Sequence, residues 1–268
     1  MSTPENKQVR ISAAVAVDPF NLPLRQALDT AGELGFGGIA LGVGHKDFDL
    51  LEASASARRD FVKHLQRRGL SLAALRVAAG PAGLFDAGGL DQLVQQSLRT
   101  MLVARELGAQ RVSLFVGQPS SSAQSTDSAQ QAARALTEQA DRCDVPLALS
   151  SSNAIFLKQL LTQLAAPHYA TANLDTLRLL AGGQKPRDVA EMLAGHIGQC
   201  TLADAILLGQ RIEPTQLGQG MVQPGEVLAV LREQGFNGPL VADVNALQQP
   251  LAGARHAAEE LRRLLKGK

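Results

Sequence analysis

Residues 233–245 read EQGFNGPLVADVN. A helix closes at Glu233 and Gln234, Gly235 stops it, and after a short turn an apolar run at 240–244 enters as a buried strand. Two polar residues, Asp243 and Asn245, stand at the end of that strand. The same unit occurs at 33–43 (ELGFGGIALGV) and, in weaker form, at 66–76 (QRRGLSLAALR), 106–116 (ELGAQRVSLFV) and 140–150 (ADRCDVPLALS). Helix–glycine–strand units recurring every roughly thirty to forty residues predict alternating α and β structure with a parallel sheet.

Working outward from these units, strands are expected at 9–17, 38–43, 70–77, 111–116, 146–149, 169–174, 197–202 and 240–244, each followed by helical sequence. The sixth helical region is broken, around Leu179-Leu180 and again after Pro186. A Ser-rich loop is expected at 117–126 and a long loop at 205–223. Eight units in 268 residues match the size of one (β/α)8 barrel, about 250 residues. The domain reading is a polar tail at 1–8 and a single barrel at 9–268. A doubly wound open sheet would carry a glycine-rich phosphate turn after its first strand. Here that turn is Val17-Asp18-Pro19-Phe20.

Composition excludes several classes of function. Formal net charge is +1, from 26 basic and 25 acidic residues, without like-charge blocks, which argues against a nucleic-acid or membrane-surface partner. Trp is absent and Tyr169 is the single Tyr, so a base-stacking surface is not expected. Cys143 and Cys200 are far apart and outside any C-x-x-C pair; Cys200 reads as a core residue. No apolar run spans a bilayer and residues 1–8 lack a signal-peptide core, so the expectation is a cytoplasmic protein.

In a barrel, chemistry collects at the C-terminal ends of the strands. The polar residues expected there are Asp18, His45, Lys46, Arg76, Gln118, Ser150, Asn153, Asp175, Arg178, Gln199, Thr201, Asp204, Asp243 and Asn245. A Schiff-base aldolase would need a lysine inside the barrel, and no lysine falls in a strand. Gly218 and Gly220 could offer backbone N–H groups to a phosphate, although a lone G-x-G is more often a turn. Asp175 and Asp243 are placed to bind a hard divalent ion or to move a proton. As a helix-cap reading also suits a strand-end Asp, the two roles compete at both positions.

The chain resembles the xylose isomerase-like barrels, the sugar phosphate isomerase/epimerase group. The resemblance rests on 28–43 (LDTAGELGFGGIALGV), 173–182 (NLDTLRLLAG) and 217–245, and extends over nearly the whole chain. It implies a divalent metal held by a Glu ending strand five, an Asp ending strand six, a His in strand seven and a Glu ending strand eight, the two glutamates exchanging a proton next to a carbonyl. Those positions carry Ser150, Asp175, Gln199-Cys200-Thr201 and Asp243 here, and a further family His falls on Arg178. Two ligands are thus missing and one is shortened, so the expected cofactor is none or a weakly bound Mn²⁺ or Mg²⁺. The arginine in place of that His is expected to pair with both Asp175 and Asp243. Two functions follow. One is a sugar or polyol isomerase/epimerase, with Asp243 and Asp175 as base and ligand and with His45, Arg76, Gln118, Ser150, Asn153, Arg178, Thr201 and Asn245 around the substrate. The other is a non-catalytic, metal-free barrel binding a small ligand or a protein. By analogy with the family, a homo-oligomer is also expected.

Overall fold

The predicted strands close into a parallel barrel. The computed structural model describes residues 12–119 and 123–266. The tail at 1–8, the start of the first expected strand and part of the Ser-rich loop lie outside the described residues. The barrel strands are β1 Ala13–Ala16, β2 Gly38–Gly42, β3 Ser71–Arg76, β4 Val112–Phe115, β5 Leu147–Ser150, β6 Ala170–Asp175, β7 Ile197–Leu202 and β8 Leu240–Ala242. Neighbours in sequence pair in space, and β8 closes the barrel on β1 through Ala13 opposite Leu240.

Nine α-helices surround it among the described residues: α1 Leu24–Glu33, α2 Ala55–Arg67, α3 Leu90–Leu107, α4 Ala123–Cys143, α5 Ala154–Leu164, α6 Thr176–Ala181, α7 Pro186–Met192, α8 Pro224–Glu233 and α9 Pro250–Lys266. The sequence motif explains itself at α1 and α8. Gly35 (φ +85°) and Gly235 (φ +69°) adopt the left-handed conformation that ends each helix, which costs other residues energy. Among the described residues, no helix is long and apolar enough to cross a membrane.

Alternation along the strands divides the apolar residues into two buried sets. Val15, Ile39, Leu41, Leu72, Leu114, Leu149, Leu174 and Leu202 belong to the main core between barrel and helices. Ala14, Ala16, Ala40, Ala74 and Val241 form a second, smaller cluster on the opposite strand faces, inside the barrel. On its other side the interior is polar, with buried Thr171, Asn173, Gln199 and Thr201.

Two bulges set which residues face inward. In β3, Ile39 pairs with Leu72 but Ala40 pairs with Ala74, so Ala73 is an extra residue. A one-residue slip exchanges the faces of everything after it, and this one puts Arg76 in phase with Ala74 and the interior. In β7, Ala172 pairs with Ile197 but Asn173 pairs with Gln199. Gly198 is the extra residue there, and Gln199 and Thr201 come to lie beside Asn173 and Asp175.

The segment expected as a loop at 205–223 is corrected by an antiparallel hairpin, Asp204–Leu208 with Arg211–Thr215. Leu208 pairs with Arg211, leaving Gly209-Gln210 as a two-residue turn with Gly209 at φ +63°; glycine permits this hairpin turn. A smaller hairpin, Gly44–His45 with Phe48–Asp49, follows β2.

Candidate ligand-binding site at the barrel mouth

The C-terminal ends of the strands surround a cavity of about 250 Å³, room for roughly eight waters. It is smaller than a drug-sized pocket. Its wall carries three carboxylates, Asp18, Asp175 and Asp243, and two guanidinium groups, Arg76 and Arg178.

Each of the two carboxylates singled out in the sequence is held the same way, with one oxygen on a backbone N–H and the other on an arginine. Asp175 ends β6 and caps α6: its Oδ1 accepts from Arg178 N at 3.2 Å. Its Oδ2 lies 3.2 Å from Arg178 Nε. Asp243 follows β8: its Oδ1 accepts from Asn245 N at 2.9 Å, and its Oδ2 accepts from Arg76 Nη2 at 2.9 Å. Arg178 is further fixed by the Phe115 ring, whose centroid lies 3.8 Å from its guanidinium carbon, a cation–π contact. Asp18 sits in the 3₁₀ turn after β1, where both its oxygens accept from Gly42 N at 3.0 Å. The expectation that Arg178 would neutralise both aspartates is therefore corrected. It pairs with Asp175 alone, because the β3 bulge delivers Arg76 to Asp243.

Burial pushes the Asp175 carboxyl above its ordinary range, and the charge of Asp243 adds to this, while Arg178, the cap hydrogen bond and Arg76 oppose it. A carboxyl whose pKa is higher folded than unfolded favours folding most when protonated. Stability is then lost as pH rises from about 4, the ordinary Asp range, through the raised folded value. Asp175→Asn keeps a good helix cap and removes the buried charge. The variant is expected to match or exceed the wild-type melting temperature at pH 8, with its advantage shrinking towards pH 4. An advantage that grows on acidification would contradict this.

At the floor of the cavity the three polar side chains from β6 and β7 form a directed chain. Gln199 Nε2 donates to Thr201 Oγ1 at 3.3 Å, and Thr201 Oγ1 donates to Asn173 Oδ1 at 2.9 Å. Gln199 Oε1 is buried and has no hydrogen-bond partner among the described residues.

Of the ten residues given a role as base, ligand or substrate contact, Arg76, Ser150, Asp175, Arg178, Thr201, Asp243 and Asn245 line this cavity. Asp18 and Gln199 from the wider set of strand-end residues line it too, whereas Lys46 and Asp204 of that set do not. Three of the ten do not line it. Asn153 caps α5, accepting from Phe156 N at 3.0 Å. His45 is buried in the small hairpin, its Nδ1 accepting from Asp47 N at 3.2 Å. Gln118 is exposed and accepts from Ser152 Oγ at 3.3 Å. Asn173 and Ser113, which also line the cavity, were not read from the sequence. For Asn173 the signal was the period of two in Thr171, Asn173 and Asp175. The glycine pair proposed for phosphate is taken by protein: Gly218 N and Gly220 N donate to Asp204 Oδ2 at 2.8 and 2.9 Å.

The donor set does not suit a resident hard cation. Such an ion wants six or so oxygen ligands, of which at least one or two are free carboxylates and the rest can be waters. Among the described residues no group of three or more His, Cys, Asp or Glu converges anywhere. Both aspartates are already committed to arginines, whose positive charge repels a second cation. Cys200, which pairs across from Leu174, is a core thiol that burial pushes up, with Asp175 adding to the shift.

The closed barrel of eight parallel strands with its surrounding helices is a (β/α)8 TIM barrel, with a polar cavity at the strand C-termini. The chain belongs to the xylose isomerase-like TIM barrel family, whose profile it matches over residues 28–264. Among curated proteins none matches the sequence. Solved structures share the fold at low identity. A xylose isomerase domain protein from Planctomyces limnophilus has a TM-score of 0.81 at 17% identity, covering 95% of each chain. A xylose isomerase-like TIM barrel protein from Mycobacterium smegmatis, in complex with magnesium, has a TM-score of 0.79 at 15% identity, covering 95% of this chain and 96% of that one. D-psicose 3-epimerase in the presence of D-fructose has a TM-score of 0.76 at 13% identity, covering 96% and 100%.

Proposed function

We propose that the barrel mouth binds a small, uncharged polyhydroxylated carbonyl compound of the sugar or polyol type, and does so without a divalent metal. The observation that carries this is the pair of Arg–Asp couples, Arg76–Asp243 and Arg178–Asp175, at the strand ends. Each couple offers a charged donor and a carboxylate acceptor side by side, which suits a compound presenting both hydroxyl and carbonyl oxygens. Three carboxylates against two arginines leave the wall with one excess negative charge, which disfavours a phosphorylated or carboxylated ligand. Family membership and an epimerase among the structural relatives support the ligand class.

A second reading, proton transfer beside the carbonyl, is favoured by Arg76 and Asp243 meeting at one point. Asp243 would take the proton while Arg76 stabilises negative charge on the neighbouring oxygen. Ser150 lacks the basicity to return a proton on the opposite face. The chemistry this wall supports is therefore proton exchange with retention, or an aldose–ketose isomerisation in which Asp243 returns the proton to the neighbouring carbon on the same face.

Calorimetric titration of D-fructose and D-psicose in excess EDTA tests the main reading; one-to-one binding is expected. Absence of binding by both, or binding that begins only after Mn²⁺ is restored, would overturn it. Loss of the ketose α-proton signal in deuterated buffer separates turnover from binding alone.

A further inference from the structure

Asp18 is the carboxylate of the cavity wall that the two Arg–Asp couples leave out. It is half-buried and lines the cavity beside Gly42. Unlike Asp175 and Asp243, it pairs with no Arg, Lys or His among the described residues. Lys46, in the turn of the small hairpin after β2, donates to Asn21 Oδ1 instead. The one side-chain contact of Asp18 among the described residues is Gly42 N, whose single proton is shared between Oδ1 and Oδ2 at 3.0 Å. A carboxylate has roughly four lone-pair sites, so each oxygen keeps one that this shared proton does not use. Holding one N–H takes an acceptor and no charge, and an asparagine oxygen would anchor the turn as well. Gly42 ends β2, and its φ lies outside the left-handed region, so its own conformation does not call for glycine. The carboxylate does: a Cβ at Gly42 would lie 2.9 Å from Asp18 Oδ1 and 3.5 Å from its Cγ. The absent side chain is what lets Asp18 lie against the end of β2 at the cavity wall.

We infer that Asp18 is a specificity-determining residue: a carboxylate oxygen, through the lone pair turned away from Gly42 N, accepts a hydrogen bond from a hydroxyl of the ligand. The inference rests on the ligand-binding reading above and narrows it. A carboxylate with no counter-cation accepts only from a group that owns a proton. A hydroxyl satisfies it, and a hydrogen bond to an ionised acceptor is roughly twice as strong as a neutral one. A deoxy analogue sets a methylene against it, and a phosphate oxygen repels it. Such a site rejects the analogue lacking the donor more strongly than an apolar pocket rejects an extra methylene. Asp18 is also the source of the excess negative charge of the wall, since Arg76 and Arg178 offset Asp243 and Asp175. Strand order sets β1 opposite β5 across the barrel, so Asp18 fixes the ligand from the side facing Ser150.

The test is calorimetric titration, in EDTA, of D-fructose, D-psicose and the monodeoxy D-fructoses into the wild type, Asp18→Asn and Gly42→Ala. Asp18→Asn keeps an oxygen for Gly42 N, so its ligand-free melting temperature should stay within about 2 °C of the wild-type value. Its affinity for D-fructose should fall about tenfold, the worth of one charge-assisted hydrogen bond made neutral. In the wild type one deoxy position should weaken binding by about tenfold or more, and Asp18→Asn should show little of that loss, because sugar and side chain are coupled. A purely structural role would move the melting temperature and leave the ranking of the deoxy sugars unchanged. In Gly42→Ala the new methyl displaces only the free end of the Asp18 side chain, so the fold should hold while ketose binding weakens to a similar degree. The double variant should bind no more weakly than the weaker of the two single variants. Equal ketose affinity in the wild type and either single variant, or one deoxy ranking shared by the wild type and Asp18→Asn, would overturn the inference and leave the ligand-binding reading standing. Absence of binding of both ketoses by the wild type would overturn both.

Discussion

Asp204→Ala is expected to lower the melting temperature by about 10 °C. The Asp204 carboxylate is 2% exposed, and it accepts from the backbone N–H groups of Ala205, Gly218, Gly220 and Val222 at 2.8 to 2.9 Å. It ties the hairpin that follows β7 to the segment leading into α8. Removing it leaves three long-range donors enclosed without an acceptor, at about 1–3 kcal/mol each before relaxation. A net loss of about 3–5 kcal/mol translates at about 2–4 °C per kcal/mol for a domain of this size. Asp204→Asn retains one acceptor oxygen and should fall between. Scanning calorimetry of the three proteins measures this, and equal melting temperatures would show that the loop is held by something else. Cleavage by trypsin at Arg211, on the hairpin, should speed up in step with the loss.

Arg76→Met is expected to weaken ketose binding by about tenfold to a hundredfold, the worth of about 1.5–3 kcal/mol for a charged hydrogen-bond donor. Its effect on stability should be far smaller. The Arg76 side chain is 32% exposed and Asp243 is 17% exposed, so solvent screens much of what the pair contributes, leaving about 1 kcal/mol or less. The double variant Arg76→Met/Asp243→Asn removes the uncompensated carboxylate and should recover that stability without recovering affinity. Arg76→Lys keeps the charge but not the planar fork, and an intermediate affinity is expected. If the double variant binds as tightly as the wild type, the Arg76–Asp243 couple is not part of the ligand site.

The barrel was legible in the sequence because its repeating unit is local. A helix, a left-handed glycine and a buried strand each leave their own mark within about ten residues, and residues 233–245 contain all three. What was not legible depends on register between strands distant in sequence. Nothing in QRRGLSLAALR marks Ala73 as a bulge, yet that bulge aims Arg76 at Asp243 and so decides which arginine pairs with which aspartate. The hairpin at 204–215 was hidden for a related reason: its strands are short, its turn is Gly-Gln, and its anchor is the carboxylate of its own first residue, Asp204.

Within the site, Asp175 and Asp243 were found by position, since a strand end is visible from the apolar run before it. Position alone also selected Asn153, His45 and Gln118, whose side chains serve local turns, caps and loop contacts instead. Asn173 was passed over because it lies within an apolar strand, where only its phase with Asp175 shows that it faces inward. The departures from the family pattern proved more informative than the agreements. Ser150 and Gln199 stand where metal-binding side chains were expected, and Arg178 stands where a further family histidine was. The structure puts a guanidinium beside each remaining carboxylate and an unpaired acceptor at the floor.

In the proposed site the Arg–Asp couples bind the ligand without a metal. The most direct measurement is the calorimetric titration of D-fructose and D-psicose into one protein preparation, first in EDTA and then with Mn²⁺ in slight excess. One-to-one binding with the same affinity is expected in both conditions, with no stoichiometric Mn²⁺ complex when the metal is titrated alone. A one-to-one Mn²⁺ complex, with ketose binding that appears only in its presence, would contradict it.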